Sequence, residues 1–148
     1  MVHERSGTSY THVTLRGIAA SHLRQAETDA SGSFQASLVA SLFAYLTIEA
    51  FVNYLGEVAF GLEKWQRNFS RGLSTKAKVV LIADKINIEV DWGAEHFSMF
   101  SNLRKLRHGV VHGNAEYLES TEPFDPKDME LLRPELNQVC TPSNARVF

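Results

Sequence analysis

The sequence predicts an all-α fold, a four- to five-helix up-and-down bundle in a single domain, and three observations predict it. A chain of 148 residues with 44% hydrophobic residues suits one domain and hides roughly 68 to 70% of its surface on folding, so its core needs no staples. The stretch from Phe34 to Phe60 is rich in Leu, Ala, Phe and Val, lacks Pro, and is apolar nearly all round, as a long helix covered by its neighbours must be. Phe97, Phe100, Leu103, Leu106 and Val110 recur at spacings of three and four, which puts them on one helical face.

The elements follow in order. Residues 8 to 29 carry Leu15, Ile18, Leu23 and Ala26 at helical spacing, and Gly32 between two serines ends this first helix. The second helix spans Phe34 to Phe60. WQRNFSRGLS at 65 to 74 reads as a loop, with Gly72 and Ser74 as stop and start signals. TKAKVVLIADKINI then gives a third helix or a buried strand, because Val79, Val80, Leu81 and Ile82 suit both. Asp91 is the expected cap of a fourth helix running from about residue 94 to about 111. Beyond Asn114 the chain turns acidic, with seven acidic residues against Lys127 and Arg133 between 116 and 135, and Asp125, Pro126 and Asp128 are the start signals of a further short helix.

Composition narrows the function. Net charge is -2, which disfavours a protein that coats nucleic acid through a broad basic face. Cys140 is the only cysteine, so no intramolecular disulfide forms, a reducing compartment is expected, and the polar flank TPSNARVF suggests a solvated or idle thiol. MVHERSGTSYTHV lacks an apolar leader core, and LVASLFAYL at 38 to 46 is shorter than a membrane span and soon meets Glu49. The reading is cytoplasmic, with no membrane partner. No HExxH or CxxC occurs and no histidine pair is read as a zinc site, so no metal and no cofactor are expected.

The informative segment is NLRKLRHGVVHGN, residues 102 to 114. It gathers Arg104, Lys105, Arg107, His108 and His112, with no acidic residue between His96 and Glu116. On a helix Arg104, His108 and His112 form one i, i+4 row, while Arg107 is rotated by about 140° from His112 if the helix stays straight. Gly109 and Gly113 can loosen or end the helix, and a second copy across a dimer axis can complete a site. The patch also admits a plainer reading, cations that complement the negative end of a helix dipole, with His108 bonding backbone carbonyls.

At these residues the sequence resembles the HEPN superfamily, marked by an Arg followed after four to six residues by a His, with a polar residue directly after the Arg. Arg107, His108 and His112 match that order. Arg5 with His12 and Arg16 with His22 satisfy the bare spacing, but only the third match ends an amphipathic helix and is followed by Gly113 and Asn114. His108 stands where the family most often has Asn. TIEAFVNYLGE at 47 to 57 looks like the family's second landmark, an acidic residue in a helix beside the motif helix. The resemblance covers about residues 34 to 114, with 115 to 148 as an acidic C-terminal segment.

The resemblance implies a homodimeric, metal-independent endoribonuclease of the toxin or antiviral-defence kind, acting on single-stranded or tRNA-like RNA, with an antitoxin protein as a further partner. The residue types fit that chemistry. A neutral imidazole takes the proton from a ribose 2′-hydroxyl, the role of His112, and a guanidinium steadies the charge on the phosphorane oxygens, the role of Arg107. His108 supports proton transfer, and Arg104 and Lys105 hold phosphate. Glu49 and Asn53 either position Arg107 or continue a polar stripe through Ser37, Ser41, Tyr45 and Glu57. Trp65 and Trp92 read as core or edge anchors in preference to base-stacking platforms. The alternative from another class is a non-catalytic HEPN dimer that binds a nucleotide, an RNA or a protein through the same patch.

Overall fold

The structure, a computed structural model, describes residues 9–113 and 139–147. The described residues form six helices and no strand: α1 (Thr11–Thr28), α2 (Ser33–Phe60), α3 (Leu62–Asn68), α4 (Thr75–Lys85), α5 (Glu95–Val111) and α6 (Pro142–Val147). The expected helix beginning at Asp125 lies outside the described residues.

Helices α1 and α2 each lend residues to two compact units. The first unit holds Leu46–Val90 together with the start of α1. Its core is Val52, Trp65 and Ile82, with Ile48, Leu55, Phe60, Phe69, Val79 and Leu81 packed against it. Trp65 is fully buried, ringed by Phe60 and Phe69 at 5.8 and 5.6 Å between centroids.

One boundary here differs from the expectation, and one open alternative is resolved. Residues 65 to 68 are helical where a loop was expected. Gly61 explains this: its φ of 85° breaks α2 in a conformation that glycine adopts at no steric cost, and the helix restarts at once as α3. Burial of Trp65 then holds that short helix in place. The residues from Thr75 onward are helical, which resolves the strand alternative, and Ser74 caps the helix by accepting from the Ala77 amide at 3.2 Å. Ile82 is buried, Val79 and Leu81 are half-buried and Val80 is exposed, the one-sided pattern of an amphipathic helix. The helix stops at Lys85 because Asn87 takes φ 63°, while the Asn87 amide donates to Asp84 O at 3.2 Å and the Ile88 amide to Ala83 O at 2.9 Å, the Schellman closure.

The second unit comprises Ile18–Tyr45 and, among the described residues, 91–113 and 139–147. Its buried apolar side chains include Ala26, Ala36, Ala40, Tyr45, Leu103, Leu106, Cys140 and Ala145. Tyr45 stacks on Phe100 at 5.7 Å, and Arg146 makes two hydrogen bonds to Glu27 Oε1, at 2.8 and 2.9 Å. Ser37 and Ser41 are buried, so the small polar residues at the start of the expected stripe face the interior.

Cys140 corrects an expectation. The thiol is buried, and burial pushes it up to about 11, so its flanking polar sequence does not place it in solvent. A thiol that is buried and protonated at neutral pH is a poor nucleophile. Iodoacetamide at pH 8 is therefore expected to leave Cys140 unmodified in the native chain and to alkylate it fully in urea, as read by intact mass; rapid native alkylation would contradict the burial.

The apolar stretch at 38 to 46, taken by itself as shorter than a membrane span, belongs to a longer apolar helix. The helix runs for 28 residues, and by length and composition it is the one described helix that passes as a candidate membrane span, a test that core helices of soluble proteins pass too.

Candidate functional site

The site is built on α5. Phe97, Phe100, Leu103, Leu106 and Val110 give the helix its inner stripe, with Leu103 and Leu106 buried. Ala94 occupies the N-cap position and offers no side-chain bond, whereas Asp91 accepts from the Gly93 amide at 2.9 Å. The expected Asp91 cap is therefore a local turn three residues before the N-cap. Trp92 packs on Phe97 with 4.5 Å between centroids, an edge anchor beside that turn.

Because Leu103 and Leu106 point inward, Arg104, Lys105 and His108 are turned outward and are exposed. Arg107 follows Leu106 and lies four residues beyond Leu103, and it is half-buried. Within the described residues no carboxylate is paired with Arg104, Lys105 or Arg107. The cations also lie in the last two turns, where they complement the negative end of the helix.

The helix stays regular through Gly109. His112 closes it as the C-cap, its amide donating to His108 O at 2.9 Å. Arg107 and His112 therefore remain about 140° apart around one helix, and a single chain does not turn both toward one point. What the helix does bring together is His108 and His112. Their rings lie 4.6 Å apart between centroids, inclined at 48°, and both residues are exposed. Arg104 completes the same row one turn earlier.

Glu49 and Asn53 belong to the other unit and are engaged there. Thr75 Oγ1 donates to Glu49 Oε1 at 2.9 Å, and Lys78 Nζ donates to Asn53 Oδ1 at 2.9 Å and to Ser70 O at 2.6 Å. Thr75, Lys78 and Ile82 are all buried on the inner row of α4, so a lysine on an apolar row at spacings of three and four was the sequence signal for this network. Burial pushes the Lys78 ammonium below its ordinary 10.5, and Glu49 opposes that.

Lys78→Met keeps the stem and strands the acceptors of Asn53 and Ser70, and is expected to lower stability by about 1–3 kcal/mol in urea unfolding. The depressed value has a sign. The folded chain releases this proton before the unfolded chain does, so the desolvation penalty is full below the folded value and is relieved as pH rises toward 10.5. The contribution of Lys78, measured against Lys78→Met, should therefore grow with pH in that window.

Among the described residues no group of three or more His, Cys, Asp or Glu side chains is placed to hold a metal ion. Compared with family models, curated proteins and solved structures, the chain matches none.

Proposed function

We propose that this chain is a HEPN-like ribonuclease domain, a four- to five-helix up-and-down bundle that acts as a homodimer and cleaves RNA by 2′-hydroxyl attack without a metal. The observation that carries the reading is the His108–His112 imidazole pair, 4.6 Å apart at the end of a helix whose last two turns hold only cationic and neutral residues.

His112 accepts the 2′-hydroxyl proton, the 2′-oxygen bonds to phosphorus, and the bond to the 5′-oxygen breaks. A protonated imidazole, that of His108 or of the second copy's motif, supplies the leaving oxygen with its proton. Arg107 steadies the phosphorane charge, while Arg104 and Lys105 hold flanking phosphates. The products are a 2′,3′-cyclic phosphate and a 5′-hydroxyl. DNA, which lacks the nucleophile, is inert. Since Arg107 and His112 diverge within one chain, the second copy supplies the missing partner, so the active species is the dimer. Glu49 and Asn53, occupied with α4, fix the shape of their own unit in this scheme.

The setting is cytoplasmic growth arrest or antiviral defence, with an antitoxin protein as a partner. Support for a soluble setting is the pairing of Glu49 and Asn53 on α2 with Thr75 and Lys78 on α4, polar groups that a lipid-facing helix would not carry. A second reading, the non-catalytic dimer that binds nucleotide, RNA or protein, is favoured by one observation. His108 and His112 are exposed, and charge stabilisation is weaker in water than in an enclosed site.

The test is incubation of the full chain with labelled single-stranded and transfer RNAs in excess EDTA, with the 3′ ends identified. Cyclic phosphate ends support cleavage. Binding without cleavage across those RNAs selects the second reading.

A further inference from the structure

We infer that His108 and His112 form a two-imidazole chelate for a late first-row divalent ion, with Zn2+ as the reference case. This departs from the expectation that no histidine pair is a metal site: His108 and His112 are four apart, and residues so spaced stand one above the other on one helical face. The distance fits as well. With Zn–N near 2.05 Å and a nitrogen lying about 1.15 Å from its ring centre, two imidazoles on one ion at a bond angle of about 90–110° have centroids about 4.5–5.2 Å apart. The rings here are 4.6 Å apart before any ion binds, inside that range.

The neighbouring rings favour this pair over His12 and His96. Both residues are exposed, which opens a path for the ion and leaves room for water to fill the remaining coordination positions. His12 is flanked instead by the rings of Tyr10, Phe51 and Tyr54 at 5.2–5.8 Å, and His96 by Phe97 at 4.5 Å. The negative end of α5 attracts a cation and the neighbouring Arg104, Lys105 and Arg107 repel it. Those three act through solvent and salt, which weakens them relative to two direct bonds to nitrogen. Two nitrogen ligands with open positions rank the ions, and Cu2+ binds more tightly than Ni2+.

Occupancy takes both imidazoles out of proton transfer, so saturating Zn2+ suppresses the cleavage proposed above. That consequence alone rests on the ribonuclease reading. Ion uptake is measured without RNA and stands or falls separately.

The experiment is calorimetric titration of Zn2+ into the untagged, chelator-stripped full chain, beside His108→Ala, His112→Ala, His12→Ala and His96→Ala, with circular dichroism to verify each fold. The expected result is one Zn2+ per chain in the parent, binding at least about tenfold weaker in His108→Ala and in His112→Ala, and no change in the other two. His112→Gln serves as a second variant if His112→Ala unfolds. Absence of uptake by the parent, or parent-like uptake by folded His108→Ala or His112→Ala, overturns the proposal.

Discussion

Arg107→Ala and His112→Ala are each expected to lower RNA cleavage by about 10²–10⁴-fold while leaving the fold intact. The size follows from the roles: a positioned base and a directed charge stabiliser each contribute on that scale. The fold is spared because His112 is exposed and caps α5 through its backbone amide, while Arg107 is only half-buried. The informative step is to mix the two inactive variants. If each site takes Arg107 from one copy and His112 from the other, a heterodimer keeps one intact site, and random exchange restores about a quarter of the parent rate. If both residues act within one chain, or if both copies' His112 rings are needed at one site, mixing restores nothing. Undiminished cleavage by either variant alone would remove that residue from the chemistry.

The helices were legible in the sequence where a single face decided them. Apolar spacing placed α2 and α5 to within a residue or so of their observed ends, because those periods report burial directly. The end of α2 at Phe60 was legible but its immediate restart as α3 was not, because WQRN read as loop although Trp65 anchors it. Cys140 misled for the same reason: its neighbours in sequence are polar, but burial is decided by what packs on it.

The site was half legible. The row Arg104, His108 and His112 follows from helical geometry, yet whether Gly109 would bend the helix and swing Arg107 toward His112 was open until α5 proved regular. Lys78 had a visible signal, a charge on an apolar row, but its partners lie 8 and 25 residues away in the chain. A charge becomes tolerable in a core only through partners that tertiary packing supplies, and single-residue patterns carry no record of that.

Gly56→Ala is expected to be among the most damaging single-methyl changes in the molecule. A Cβ at Gly56 would sit 2.2–2.4 Å from the Trp65 ring atoms Cε2, Cζ2 and Cδ2, far inside van der Waals contact. Alanine improves helix propensity by about 0.5–1 kcal/mol over glycine, which would stabilise α2 if the site were open. The contact decides the sign. Trp65 is fully buried against Phe60 and Phe69, so the indole has no free space to retreat into, and overpacking costs typically 1–3 kcal/mol or more. Trp65→Phe tests the mechanism. It removes Cζ2 and leaves a smaller ring that can tilt away from the new methyl, and it deletes a buried Nε1–H that has no hydrogen-bond partner among the described residues. Urea denaturation of Gly56→Ala, Trp65→Phe and the double variant should give a coupling energy of about 0.5–3 kcal/mol, with the double variant more stable than the two losses summed. Strict additivity would mean that the two side chains do not collide and that Gly56 is retained for another reason.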